Sequence, residues 1–221
     1  MHAPQTDPHL VLYYAPVACS LVPYITLTEA GAVFDVHTVN MGRREHLSAE
    51  FLRLNPKHRV PVLVIDGEAL TENVAIQIWI ARQFPGAHLL PTGSLQEVRA
   101  IALLAWCASG IHPALTPNAR PERYCDLPDS ADSVRRCAQK MLYEYLRLAD
   151  DLLVGREWFF DHFTAVDAYF FWCFRRAMLF QIDVSAFSAC QAHFDRMLQR
   201  PSVRQLIAFE ADTLEQFKRG P

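Results

Sequence analysis

The sequence predicts an α/β domain over residues 9–84 followed by an all-helical domain over 95–221, joined by a linker at 85–94. Three observations carry this. Short β-rich runs alternate with helical spacing only in the first third of the chain. Phe84-Pro-Gly-Ala-His-Leu-Leu-Pro-Thr-Gly93 is the one stretch with linker composition. Beyond it, strand patterning gives way to helical periodicity.

His9-Leu-Val-Leu-Tyr-Tyr14 reads as a first strand, and Ala15-Pro16-Val17-Ala18 as the turn after it. Leu21 to Ala30 has helical spacing and stops at Gly31, a usual C-terminal signal. Val33 to Val39 alternates as a second strand. A polar, Arg-containing segment leads to a short helix ending near Leu54. Val62-Leu-Val-Ile65 gives a third strand, and Asp66-Gly67 turns it back into Ala69-Leu70 as a tight hairpin. Glu72 to Phe84 closes the domain as a helix, so the order is β-α-β-α-β-β-α. Helical periodicity then covers 95–118, 131–154, 165–181, 185–198 and 202–218. Residues 1–8 are expected to be disordered or extended.

The chain has 221 residues, 51% hydrophobic and 20% charged, with a net charge of −3. Residues 1–90 carry 6 basic and 8 acidic side chains, and the remainder 15 and 16. No basic half exists to attract nucleic acid or an anionic membrane, which argues against both partners. The apolar runs read as short and broken by charge, so no bilayer span is expected. The N-terminus lacks a basic region followed by an apolar stretch, which argues against a signal peptide. Cysteines stand at 19, 107, 125, 137, 173 and 190 without a CxxC pair or zinc-ligand spacing. A cytoplasmic protein with reduced thiols and no metal is the expectation.

Cys19 is the first candidate for chemistry. Pro23 is tolerated only in the first turn of a helix, so the helix begins close to Cys19-Ser20. A thiol there feels the helix dipole and unpaired N–H groups, which favour the thiolate. It also follows the C-terminal end of the first strand, where open α/β sheets bind ligands. The other reading is a buried, inert cysteine. The remaining five cysteines read as packing. Val60-Pro61 starts a strand, either as a cis bond presenting the Val60 backbone or as a trans proline in a loop. Thr71-Glu72-Asn73 opens a helix whose free N–H groups suit an anion, although Glu72 is also an ordinary first-turn acid. Arg43-Arg44 reads as a solvated charge pair, His112 as a structural histidine, and Phe163-Thr164-Ala-Val-Asp167 as a capping box.

Together these residues resemble a glutathione transferase of the bacterial beta class, over nearly the whole chain. The resemblance rests on Tyr14-Ala-Pro-Val-Ala-Cys-Ser-Leu21 with Ile25-Thr-Leu-Thr-Glu29, Asn55-Pro-Lys…Val60-Pro-Val-Leu63, and Leu70-Thr-Glu-Asn-Val-Ala-Ile76. In the helical half it rests on Ile111-His-Pro-Ala-Leu-Thr-Pro117 and Phe163-Thr-Ala-Val-Asp-Ala-Tyr169. It implies a thioredoxin-like N-terminal domain, a homodimer, and an active site in the interdomain cleft. It assigns Cys19 and His112 to the glutathione sulfur, and the Val60 backbone before cis Pro61 to the cysteinyl unit. Glu72 and Asn73 are assigned to the γ-glutamyl group, and Arg44 to the glycine carboxylate. Tyr14 and Ser20 are the tyrosine and serine alternatives around such a site. Pro113, Ala105 and Gly110 depart from the polar or charged residues usual at their positions, and Phe160-Asp161-His162 replaces a glycine before the cap.

The implied activity is activation of glutathione thiolate for attack on a small electrophile, with thiol–disulfide exchange through Cys19. The alternatives are a non-catalytic binding or regulatory protein of the same fold and a glutathione-dependent disulfide reductase.

Overall fold

The computed structural model describes residues 8–219. The expectation for residues 1–8 therefore lies, except for Pro8, outside the described residues. β1 (Leu10–Tyr14), α1 (Leu21–Glu29), β2 (Asp35–Thr38), α2 (Ala49–Leu54), β3 (Val62–Ile65), β4 (Glu68–Thr71) and α3 (Asn73–Gln83) follow in the order the sequence predicts. They form a four-stranded sheet of order β2-β1-β3-β4, with β1 parallel to β2 and antiparallel to β3. Leu12 lies opposite Val36 on one side and Leu63 on the other. Leu10, Leu12 and Tyr14 are buried on one face, as are Leu21 and Ile25 of α1 and Ile76 and Ile80 of α3. Period-2 alternation turns Tyr13 to the opposite face, where its ring meets Phe51 of α2 edge-on at 5.9 Å. Ala15, Val39, Phe51, Val60 and Val62 close that second face.

The hairpin forms as its residues require. Asp66 at φ 50 and Gly67 at φ 92 both take the left-handed conformation of a type I′ turn. The second strand is shorter than its alternation suggests. Val33 is exposed and only Asp35 to Thr38 pair with β1, because an edge strand is held by one neighbour.

Residues from Arg204 onward cluster with those up to Ala87, and His88–Val203 forms the second unit. This differs from the expected boundary, which left the last helix, α9 (Pro201–Arg219), in the helical domain. Phe209 of α9 stacks on Tyr24 of α1 at 5.3 Å and meets Tyr14 of β1 edge-on at 5.5 Å. Helical periodicity shows that α9 buries a face but not which surface covers it.

The helical unit contains α4 (Ser94–Trp106), α5 (His112–Ala119), α6 (Ala131–Leu153), α7 (Ala165–Leu179) and α8 (Ser188–Gln199). α7 is buried almost all round, which suits its run of Tyr169, Phe170, Phe171, Trp172 and Phe174. Its start is the expected capping box. Asp167 Oδ2 accepts from the N–H and hydroxyl of Thr164 at 2.7 and 2.9 Å, and Oδ1 accepts from Phe159 N–H at 3.1 Å. The same Oδ1 lies 3.0 Å from Nε2 of buried His193.

α4 and α5 are joined by a five-residue π-helical segment, Cys107–Ile111. In an α-helix Pro113 would clash with the carbonyl of Ser109, and the wider turn falls at that place. Gly110 is required by packing: a Cβ there would lie 2.9 Å from Cδ1 of Trp106. The expectation that apolar runs are short needs correction, because no Asp, Glu, Lys or Arg stands between Ala100 and Ala119. Ser94–Ala119 is long and apolar enough to cross a membrane. Here it packs on α6 and α7 of its own unit, as a bundle helix does.

Candidate active site

The turn between β1 and α1 is fastened at several points. Ser20 Oγ accepts from the N–H of Ala15 at 3.0 Å and donates to its carbonyl at 3.1 Å. The Ala18 N–H donates to Ala15 O, and Leu21 N–H to Ala18 O, both at 3.2 Å. Val17 takes φ 64, an unusual conformation for a β-branched residue. Its N–H donates to Oε2 of Glu210 at 2.7 Å, and Tyr14 donates its hydroxyl to the same oxygen at 3.1 Å. The turn delivers Cys19 two residues ahead of α1, partly exposed. Pro23 sits in the first turn of α1, as its missing N–H demands.

Three separate segments meet at Cys19. Its thiol donates to the Val60 carbonyl at 3.5 Å, and the Val60-Pro61 bond is cis. Asn73, at the first turn of α3, donates Nδ2 to the Cys19 carbonyl at 2.9 Å. That bond leaves Asn73 Oδ1 as a buried acceptor with no partner. Glu72 precedes it at φ 72 and forms an ion pair with Lys57, which also donates to Thr71 Oγ1 at 2.9 Å. Thus Cys19, Val60, Pro61 and Asn73 are brought into contact, and Glu72 is their chain neighbour at the helix start.

Tyr14 and Ser20 are placed differently from the expectation. Both are fully buried, with hydroxyls turned onto Glu210 and Ala15, so they brace the turn from beneath instead of facing a ligand. Arg44, at φ 61, lies exposed on the segment between β2 and α2. Its neighbour Arg43 lines a cleft of about 400 Å³ with Pro16, Met41, Leu214, Phe217 and Lys218.

His112 begins α5 in the helical unit. Its Nδ1 lies 3.2 Å from the Tyr169 hydroxyl, and Trp172 meets the ring edge-on at 4.3 Å. Two α7 aromatics therefore fix the imidazole plane. The other cysteines are not uniformly packing residues: Cys107, Cys173 and Cys190 are buried, whereas Cys137 is exposed and Cys125 partly so. Burial, with the Asp150 carboxylate next in weight, pushes the Cys190 thiol far up. Hydrogen bonds from the Ser130 side chain and the Leu127 backbone hold the Cys125 thiol below its ordinary range. Among the described residues no group of three His, Cys, Asp or Glu could hold a metal ion.

Sequence reasoning missed Glu210 and Lys57. Glu210 had a legible signal, since it falls on the row Leu206, Glu210, Thr213 that α9 buries, where an acid requires partners. Lys57 had none; it is one exposed lysine in a polar loop.

The site therefore sets a cysteine at the N-terminal end of the first helix against a peptide carbonyl beside a mixed four-stranded sheet. Residues 9–82 match the glutathione S-transferase N-terminal domain. The chain is 32% identical over 203 residues to glutathione S-transferase GstA of Escherichia coli O157:H7, covering 90% of this chain and 98% of that one. A sphingomonad glutathione S-transferase complexed with glutathione superposes with a TM-score of 0.81 at 33% identity, covering 91% of this chain and 98% of that one. The bacterial beta class enzyme of Sphingomonas chungbukensis gives 0.80 at 36% identity, covering 90% and 98%. The chain belongs to the glutathione S-transferase family, and its fold is that of these transferases.

Proposed function

We propose that the chain is a beta-class-like transferase that binds glutathione at the α/β unit and activates its thiol for attack on a small electrophile. The observation that carries the reading is the meeting of Cys19, the Val60 carbonyl before cis Pro61, and Asn73 at the start of α3. Glutathione fits these groups. A peptide-like cysteinyl unit pairs with the Val60 backbone, its sulfur falls beside Cys19, and its γ-glutamyl carboxylate meets the α3 N–H groups. Its ammonium suits Glu72 and the partnerless Asn73 Oδ1. A cationic side chain, Arg44 or its neighbour Arg43, suits the glycine carboxylate.

Conjugation requires a thiolate near pH 7, whereas a free thiol ionises near 8.5. A site that lowers this by ~2 units stabilises the thiolate by roughly 2.7 kcal/mol. The Cys19 thiol and His112, the group that the resemblance assigns to the sulfur, supply hydrogen bonds to it. The glutathione thiol loses its proton to solvent or to the imidazole. Its sulfur then forms a C–S bond at the electrophilic carbon as the leaving group departs with the bonding electrons. With glutathione disulfide, the Cys19 thiolate attacks one sulfur, forming a mixed disulfide and releasing glutathione thiolate. The apolar cleft wall of Pro16, Leu214 and Phe217 suits a small apolar electrophile. Cytoplasmic location, a detoxifying role and a homodimer belong to the same proposal.

Retention on immobilised glutathione, followed by aryl-halide turnover and intact-mass analysis, tests the reading. Turnover supports it. Binding without turnover favours a binding or regulatory protein, and a dominant mixed disulfide with fast disulfide reduction favours a reductase. No binding at millimolar glutathione overturns it.

A further inference from the structure

We infer that the cleft of about 400 Å³ on the α/β unit selects electrophiles that carry a carboxylate on an apolar body, and that Arg43 is the residue that reads the acid. The inference rests on the proposed place of glutathione beside Cys19 and names the class of its second substrate. The whole cleft wall belongs to the α/β unit, with which the end of α9 clusters. Its volume falls in the range of small-molecule sites. Pro16, three residues before Cys19 on the same turn, joins Met41, Leu214 and Phe217 to make the apolar part of the wall. Met41 is 41% and Leu214 38% exposed, so apolar surface lies open where a ligand would cover it.

The charged part of the wall is cationic. Arg43 and Lys218 line the cleft, and among the described residues no carboxylate does. The acid nearest to Arg43 in sequence is engaged elsewhere, because Glu45 Oε2 accepts from the Asn40 N–H at 2.6 Å. Asn40 Oδ1 in turn accepts from the Arg43 N–H at 3.1 Å, which fixes the backbone that carries the guanidinium. Among the described residues no ion pair forms at that guanidinium. Lys218 pairs with Glu215 at 2.7 Å, but the two side chains are 70% and 55% exposed, so this pair can yield to a ligand at little loss. Open cations beside open apolar surface suit an amphipathic anion. Its body displaces water from the apolar wall, and its carboxylate meets the planar fork of Arg43. A neutral electrophile of the same size gains the first contact and not the second.

The test uses 4-chloro-3-nitrobenzoate and its uncharged amide, 4-chloro-3-nitrobenzamide. Equilibrium dialysis in low salt gives the affinity of each for glutathione-free protein. Turnover with glutathione follows: the thiolate sulfur bonds to the ring carbon bearing chlorine, and chloride departs with the C–Cl electron pair. Each rate is divided by the uncatalysed rate of the same compound. The parent should bind the acid at least about fivefold tighter than the amide, the equivalent of about 1 kcal/mol, and prefer it likewise in kcat/KM. Raising the salt should shrink the preference. Arg43→Gln should lose most of it and Lys218→Gln part of it. Arg43→Lys should keep part, since the charge remains without the fork. Arg53→Gln makes the same change of net charge at an exposed arginine of α2 and should keep the preference within about twofold. Equal binding of acid and amide by the parent, or a preference that Arg43→Gln leaves intact, would overturn the inference. So would an equal loss in Arg53→Gln, which would make net charge the cause. Dialysis needs no glutathione, so a parent that prefers the acid but binds no glutathione sinks the proposed function and still supports the role of Arg43. A parent that turns over acid and amide equally well keeps the transferase reading and sinks this one.

Discussion

Removing the Glu72 carboxylate tests where the γ-glutamyl end of glutathione sits. In the free protein Glu72 is paired with Lys57, and their side chains are 68% and 48% exposed. A pair that open to water contributes about 0–1 kcal/mol, so the carboxylate can exchange lysine for a bound ammonium at little loss. A hydrogen bond between charged groups contributes roughly 1.5–3 kcal/mol. Subtracting the surrendered pair leaves about 0.5–3 kcal/mol, or roughly a two- to 150-fold higher Kd for glutathione in Glu72→Ala. Turnover at saturating glutathione should change less than about twofold, because the lost contact is equal in ground and transition states. Calorimetric titration gives the first quantity and steady-state rates on an aryl halide the second. Glutathione binding in Glu72→Ala equal to the parent would refute the placement. Lys57→Ala is the companion variant: it releases Glu72, so affinity should hold or rise by at most about fivefold. A fall in affinity there would mean that Lys57 itself touches the ligand.

Cys19 should alkylate near neutral pH ahead of the other five cysteines, with Cys125, whose thiol is held low by its hydrogen bonds, second; equal or slower labelling at Cys19 by peptide mass spectrometry refutes the activated thiol. His112→Ala should lower kcat more than it raises KM for glutathione, as for a group acting in the transition state, and the reverse pattern in steady-state rates removes it from the chemistry. Asp167→Ala strands the N–H groups of Phe159 and Thr164, the Thr164 hydroxyl and the His193 ring inside the helical unit. It should destabilise by roughly 3–5 kcal/mol and lower the thermal midpoint by on the order of 10 °C, and a calorimetric shift under about 2 °C would contradict that accounting. Light scattering at micromolar concentration should give twice the chain mass, and a monomer defeats the dimer proposal.

Much of the architecture was legible because it is set by local rules. Alternation marked β1 and β3, Asp66-Gly67 supplied two residues able to take positive φ, and Thr164 with Asp167 spelled a cap that forms as written. Pro23 fixed where α1 begins, since a proline's missing N–H and its ring are tolerated in one place only. The place of Cys19, two residues ahead of that start, followed from it.

What the sequence left open is what depends on which surfaces meet. The Val60-Pro61 bond had two readings, and the packed segment around Val60 and Val62 took the cis form. Tyr14 and Ser20 look like ligand hydroxyls in sequence, yet burial turns both inward, onto Glu210 and Ala15. Gly110 reads as a missing polar group until the Trp106 indole is seen to fill the space where its Cβ would stand. Glu210 lies 196 residues beyond Tyr14 along the chain, and no local pattern links the two. Periodicity determined that α9 is a helix with one buried face. The α/β unit decided what that face covers, because side-chain spacing follows from a single helix while partner choice needs two shaped surfaces.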